Sequence, residues 1–416
     1  MAAKFRSRRR RVLLLVVVAA LTGGVVGGIN AAGILHDAEL KSIDLRFKLR
    51  GSETPRNDVV VIGVDPKSES ELSVRPPYPR SYHARVIDFL HRAGAKVIAY
   101  DVQFIGTSTP SQDRALLTSL SRSRPVLLAT HDVNGPRLKV PAGLSNPGRV
   151  GATLASVAVP SSSDSILRQM FYENVDILNF EVAAAQMALG HAVSQSHFPD
   201  GYAWIDYAGP PGTYHIYSFS DVLQGRIPAR AFADKIVVVG YTDPNLNDIF
   251  QTPIASDEMS GPEVHANAIA TILNGFPLSS APTWLNVLLV VLASVTIPLV
   301  SAFRRVGWML VAAVLAAVAL LTTLQLSFNA GLILNATNPI LALALSTVGS
   351  IATGYLLETR ERRRMRTIFT RFVPKDVVND VIARTDEDLR LGGVRRDGTV
   401  VFTDLRGFTS FAEELE

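Results

Sequence analysis

Asp58–Asp65 reads DVVVIGVD and Lys96–Asp101 reads KVIAYD. A continuous β-branched run with a polar residue at each end is the pattern of a strand buried on both faces of a parallel sheet. Between the two lies a PPYPR turn, and then Ser81–Ala93, in which Val86, Ile87, Phe89 and Leu90 recur at helical spacing before Gly94. Strand, helix and strand in this order make a βαβ unit. The alternation returns in Arg114–Leu120 followed by PVLLAT, and again in Lys235–Gly240 (KIVVVG) followed by a helix over Pro262–Leu273. An α/β sheet completed by a returning strand is therefore predicted.

This segment is flanked by apolar runs. Val12 to about Leu35 carries no charge and is preceded by Lys4, Arg6, Arg8, Arg9, Arg10 and Arg11, which makes it a signal anchor long enough to cross the hydrocarbon. A cleaved signal peptide shares the basic-then-apolar order, but this run is long for that role. Trp284–Phe303, Val306 to about Leu326 and Leu332–Leu357 are three more uncharged apolar stretches. The expected organisation is a basic tail (1–11), spans at 12–35, 284–303, 306–326 and 332–357, an outer domain at 36–283, coupling helices at 358–390 and a further domain opening at 391–416. Arg304 and Arg305 separate spans two and three, and Arg360, Arg362, Arg363, Arg364 and Arg366 follow the fourth. Positive residues thus mark one side, predicted to be the cytoplasm, with the long segment outside.

A mean hydropathy of +0.22 agrees with a multi-pass membrane protein. The net charge of +4 comes from arginines bunched beside apolar runs, so it speaks for membrane topology and not for nucleic acid. There is no cysteine, which excludes disulfides, thiolate metal sites and a cysteine nucleophile. Transporters carry intramembrane ionisable groups, and these spans carry none. Asn335, Asn338 and Pro339 are expected to give an interhelical hydrogen bond and a kink.

Asp65 and Asp101 end strands, where open α/β sheets place ligand crevices. Capping of the following helix or turn is the favoured reading for both. All eight histidines, His36, His83, His91, His131, His191, His197, His215 and His265, fall in the outer segment. Proton sensing is one use for them. The reading favoured here is ordinary surface or helix positions, because no pair has a zinc-site spacing.

IDLRFKLRG, DVVVIGVDPKS, YPRSYHARVIDFLHRAGAKVIAYDVQF, KIVVVGYTDPNLND and GPEVHANAIATILNG occur in that order. Together they resemble the second type of CHASE domain over roughly Ile43–Leu278. That family, the extracytoplasmic sensory modules of cyclases and histidine kinases, typically sits behind one span and ahead of three. The resemblance implies reception of a signal and names no ligand-binding residue.

Beyond the last span, ETRERRRMR is a basic run at the membrane face, which anionic lipid would favour. Ile368, Phe369, Phe372, Val373, Val377, Val378, Val381 and Ile382 follow at helical spacing, with Pro374 at the first turn of a second helix. RFVPKDVVNDVIA resembles the linker before cyclase catalytic domains, where an apolar stripe suits parallel packing in a dimer. A membrane-surface helix is the other reading. Next comes LRLGGVRRDGTVVFTDLRGFTSFAEELE. Thr399–Thr403 is predicted to be a strand with Asp404 at its carboxyl end, and Ser410 with Glu413 makes a capping box, so a carboxylate and helix-start amides share one opening.

That run resembles the start of class III adenylate and guanylate cyclases. By this resemblance Asp404 is the first carboxylate of a site for two magnesium (or manganese) ions and the Leu405 carbonyl an additional ligand. The Phe408 and Thr409 amides lie near the nucleotide phosphates. The family's remaining site residues would fall beyond Glu416, so the resemblance implies a truncated α+β cyclase domain here, lacking a complete catalytic set and inactive by itself. The full expectation is a homodimeric receptor adenylate cyclase of the inner membrane, with ATP as substrate and an extracytoplasmic signal that the sequence does not name. A non-catalytic receptor, or a kinase-coupled one with the same outer domain, is the alternative; no histidine follows His265 to accept a phosphoryl group.

Overall fold

A computed structural model describes residues 2–104, 106–123, 125–130, 151–303, 306–372, 399 and 401–403. They fall into two units, Met1–Thr353 and Gly354–Glu416.

The first unit opens with α1 (Ala2–Ala31) and α2 (His36–Arg50). Helix α1 ends before Leu35, the expected limit of the first span, because the chain turns at Gly33, whose φ of +68° is left-handed. There follow β1 (Val59–Val64), α3 (Pro66–Leu72), α4 (Arg80–Arg92), β2 (Val97–Asp101), α5 (Pro110–Arg122), β3 (Val126–Thr130) and β4 (Ala152–Ser156). Short pieces come next: β5 (Gln169–Phe171), β6 (Glu173–Asn174), β7 (Ile177–Leu178), α6 (Phe180–Leu189), β8 (Tyr202–Trp204), β9 (Ile216–Ser218) and α7 (Phe219–Leu223). The lobe closes with β10 (Ile236–Tyr241), β11 (Ile249–Phe250), β12 (Met259–Ser260), α8 (Gly261–Leu273) and β13 (Ser279–Ser280).

The main sheet has the order β4-β3-β2-β10-β1-β9, and every neighbouring pair is parallel. The returning strand β10 inserts between the two strands read first, pairing Val59–Val64 with Ile236–Tyr241 residue for residue. Both faces of β1 are covered. Val60, Ile62 and Val64 join a core with Val86, Ile87 and Leu90 of α4, Leu116 and Leu120 of α5, and Phe219 and Val222 of α7. Val59 and Val61 join a second core with Phe180 and Ala184 of α6 and Ala266 and Ile269 of α8. Two-sided burial is why these strands read as unbroken apolar runs.

Among the described residues four helices are long and apolar enough to cross a membrane: Val12–Ala31, Thr283–Ala302, Gly307–Asn329 and Thr337–Arg360. They belong to α1, α9 (Thr283–Phe303), α10 (Val306–Asn329) and α11 (Thr337–Phe372). Their exposed Leu13, Val16, Leu21, Leu299, Val314 and Leu315 would be a liability in water and are well solvated by lipid. Ser346 Oγ of α11 donates to the Ala293 carbonyl of α9 at 3.1 Å, and Asn338 Nδ2 donates to Asn30 Oδ1 of α1 at 2.6 Å. The expected interhelical bond is thus made by Asn338. Asn335 Oδ1 instead accepts the Asn338 amide at the start of α11, and Pro339 sits in the first helical turn, where a proline leaves the helix straight.

The fourth span was expected to begin at Leu332. Leu332–Ile333 is instead β14, paired in parallel with β13, and the helix starts at Thr337. An apolar run does not reveal where its helical part begins. Here the backbone of residues 331–333 is used by the outer lobe, through Ser279 N to Gly331 O at 2.8 Å and Ala281 N to Ile333 O at 2.9 Å.

In the second unit the chain is helical to Phe372. Thr399 and Val401–Thr403 are exposed and carry no strand assignment, contrary to the expected strand over Thr399–Thr403. A strand needs a hydrogen-bonded neighbour, and among the described residues none pairs with them; Val400 itself lies outside the described residues. The second coupling helix and the group Asp404, Leu405, Phe408, Thr409, Ser410 and Glu413 lie outside the described residues.

Candidate functional site

The chain leaves β1, β2 and β9 toward helices on one face of the sheet and leaves β10 toward α8 on the other. At such a reversal α/β sheets place their sites on the carboxyl edge, here beside β10. Asp101 closes β2 there and Tyr241 closes β10.

Into this edge α8 brings His265, which is buried. Its Nδ1 lies 2.7 Å from Glu181 Oε1 of α6 and its Nε2 3.3 Å from Asp101 Oδ2. Burial alone would lower the imidazole pKa, but the charges and hydrogen bonds of Asp101 and Glu181 outweigh it and raise the pKa well above 6.5. The group is therefore an imidazolium clamped between two carboxylates. The second Glu181 oxygen, Oε2, is buried with no hydrogen-bond partner among the described residues, so the local charge is not fully compensated.

A third carboxylate, Asp248, stands at the start of α8. The Gly261 amide donates to the Asp248 carbonyl at 2.9 Å, and a Cβ at Gly261 would collide with the Asp248 carboxylate. Glycine at this helix start is what lets the acid approach. Burial, and then the neighbouring Asp101 charge, push the Asp248 carboxyl up to about 7, against the opposing pull of His265.

The structure separates the two aspartates that ended strands in the sequence. Asp65 is a helix cap: Oδ1 accepts from the Ser68 amide at 2.8 Å and from Ser218 Oγ at 2.8 Å. Asp101 is no cap and pairs with His265. Among the histidines, His36, His91, His191, His197 and His215 are exposed and His131 lies outside the described residues, whereas His83 and His265 are buried. His83 Nδ1 meets Tyr100 Oη at 2.7 Å within a nest of Tyr78, Phe104 and Phe219. Burial, with the Arg80 charge, lowers it to about 3, so it is neutral. No cluster of metal-ligating side chains occurs among the described residues. What this edge offers chemically is a proton-accepting group beside a buried imidazolium–carboxylate cluster.

The lobe meets the membrane helices through α2. Ile43 and Phe47 join a core with Val264, Ala268 and Ile272 of α8, and with Phe328 and Ile333; the Phe47 and Phe328 rings cross edge-to-face at 4.9 Å. Glu39 Oε2 accepts from the Ala336 and Thr337 amides at 2.8 and 2.9 Å and from Thr337 Oγ1 at 3.0 Å. It thereby caps α11 and places negative charge at the positive end of that helix. Glu39 Oε1 receives Arg46 Nη2 at 2.7 Å, and Arg46 Nη1 donates to the Leu334 carbonyl at 2.8 Å. On the lobe side, Asp44 of α2 takes two hydrogen bonds of 2.7 Å from Arg168, which also grips Asp164 at 2.6 Å. Arg50 reaches Asp206 at 2.7 Å.

Glu39, Asp44, Arg46, Arg168, Glu181 and Asp248 were not singled out from the sequence. A signal existed for some. Glu181 in FEVAAAQMAL and His265 in VHANAIATIL are ionisable residues in otherwise apolar helices, which calls for a buried partner. Which two would meet was not legible, because Glu181 and His265 are 84 residues apart.

The CHASE2 domain family model matches residues 12–300. No curated protein and no solved structure matches the chain.

Proposed function

The chain belongs to the CHASE2 domain family, and from that premise we propose that it is a transmembrane receptor joining an extracytoplasmic sensor lobe to a cytoplasmic nucleotide cyclase. The observation that carries the receptor reading is the Glu39 clasp: the helix that follows the first span caps the helix of the fourth. A shift of α2 under the lobe thereby changes the start of α11. The arginines beside the spans support an inner membrane protein with the lobe outside and both ends in the cytoplasm.

The cyclase reading rests on the run from Leu391 to Glu416. Asp404 and the Leu405 carbonyl are hard oxygen donors, suited to magnesium or manganese. Two such ions, when bound, would activate the ribose 3′-hydroxyl and neutralise charge on the phosphates. The Phe408 and Thr409 amides would orient ATP by its phosphate oxygens. The 3′-oxygen then attacks the α-phosphorus, its proton is released, and pyrophosphate leaves, giving cyclic AMP. A homodimer would complete the site. In the full-length protein Asp404→Asn should abolish cyclic nucleotide formation in membranes supplied with ATP and magnesium, with membrane insertion unchanged; undiminished magnesium-dependent turnover would refute the assignment.

A further inference from the structure

Asp248 connects to α2 by a short chain of contacts. It directly precedes β11, and Gln251, just past that strand, accepts the Leu167 amide at 2.9 Å. Gln251 also bridges Ile166. The next residue, Arg168, holds Asp44 of α2 with two charge-assisted hydrogen bonds. A second route is α8, whose first turns carry Gly261 and His265 at the cluster. Its Val264, Ala268 and Ile272 pack in the core that holds Ile43 and Phe47 of α2. Both routes end on the helix that carries Glu39 and Arg46.

The groups around Asp248 come from every packed element. β2 supplies Asp101, β10 supplies Tyr241 and α8 supplies His265, which in turn holds Glu181 of α6. Tyr207 donates its hydroxyl to the Leu167 carbonyl. Glu263, also on α8, is occupied by the Gly212 and Tyr214 amides. When Asp248 is ionised, Asp101, Glu181 and Asp248 face one imidazolium; when it is protonated, one carboxylate fewer opposes the packing of the 242–260 loop on α8. Like charges in a desolvated site repel strongly, so the two states differ in how firmly that loop is held.

We propose that Asp248 is the proton acceptor of an extracytoplasmic pH switch, whose ionisation loosens the 242–260 loop from α8 and is passed through Gln251 and Arg168 to α2. This deepens the receptor reading and rests on it, with the proton as the signal. Asp248 releases its proton near neutrality, because of burial and then Asp101, while His265 stays charged. The switch therefore operates over about one pH unit either side of 7.

The test is infrared difference spectroscopy of the whole chain in lipid nanodiscs between pH 6 and pH 8, with hydrogen exchange measured in parallel and corrected for intrinsic rates. The protonated-carboxyl band should be lost on going to pH 8, and amides at Leu167, Gly261 and the start of α8 should exchange faster. Asp248→Asn, nearly isosteric, should remove the band and hold slow exchange at both values. Asp101→Asn should move the midpoint of the band downward, since a like charge is gone. A band that persists in Asp248→Asn, a midpoint that ignores Asp101, or exchange at Leu167 indifferent to pH would overturn the proposal. None of these readouts uses cyclase activity, so failure of the switch and failure of the cyclase reading are told apart.

Discussion

Glu39 accepts hydrogen bonds from both the amide and the hydroxyl of Thr337, at 2.9 and 3.0 Å, across 298 residues of sequence. The first residues after one membrane span thus serve as the amino-terminal cap of another. Helix starts leave amides without intrahelical partners, and Glu39 takes up those of Ala336 and Thr337. This one carboxylate also balances the buried guanidinium of Arg46, which in turn donates to the Leu334 carbonyl.

Replacing Glu39 with alanine therefore removes a cap and leaves Arg46 without its carboxylate. The cap alone is worth ~0.5–2 kcal/mol, and breaking a buried ion pair costs ~3–5 kcal/mol when nothing relaxes. A loss of at least ~2 kcal/mol is expected, read as a lower thermal midpoint of the chain in nanodiscs. Glu39→Gln keeps an acceptor and should lose less. Equal midpoints for wild type and Glu39→Ala would show that α11 is held by other contacts.

His265→Ala leaves Asp101 and Glu181 facing each other across a buried cavity. The expected destabilisation is ~3–5 kcal/mol, measurable by denaturant or thermal unfolding. Adding Glu181→Gln to His265→Ala should recover part of the loss, since one of the two uncompensated charges is then gone. No recovery in the double variant would mean that packing against Phe180, whose ring centroid lies 4.9 Å from that of His265, matters more than charge.

Around neutrality the dependence of stability on pH is set chiefly by Asp248, His265 and His83. Asp248 and His265 both have folded pKa values above their unfolded ones. Each contributes stability that is complete below the unfolded value and is lost as pH rises through the folded one. His83 is depressed to about 3, and its contribution is present above the unfolded value of 6.5 and lost as the pH falls. Between about pH 4 and 6.5 Asp248 and His83 act in opposite directions and largely cancel. Above 6.5 His83 is neutral in both states, so His265, joined by Asp248 up to about 7, makes the lobe less stable as pH rises. Thermal midpoints from pH 5 to 9 should be nearly level on the acid side and fall on the alkaline side. His265→Gln should flatten the alkaline fall, and an unchanged slope in that variant would contradict the assignment of charge.

Four strands of the sheet were legible because they are buried on both faces, DVVVIGVD, KVIAYD, PVLLAT and KIVVVG standing out as apolar runs, whereas the short, partly exposed β4 and β9 were not. Helix α4 followed from apolar spacing and from Gly94 as a stop, and α5 and α8 from the repeated alternation of strand and helix, with α5 running beyond the expected Arg114–Leu120 at both ends. The insertion of β10 between β2 and β1 was not legible, since pairing of distant parallel strands leaves no local pattern. The candidate site depends on that insertion. Asp101, Glu181 and His265 come from three separate elements and Asp248 from the loop before β11, and only the packed sheet brings them together. Asp65 was correctly read as a cap, because Asp65-Pro66 with Ser68 is a local helix-start signal. Asp101 looked the same in sequence and has a different role, because its partner arrives from α8.

The receptor reading depends most directly on which side of the membrane the lobe occupies. The chain has no cysteine, so single cysteines can be placed by Ser70→Cys on the exposed surface of the lobe and by Arg363→Cys after the fourth span. Labelling of intact cells with a membrane-impermeant maleimide should modify the S70C variant, and the R363C variant only after lysis. The reverse pattern would contradict an extracytoplasmic sensor and, with it, the receptor.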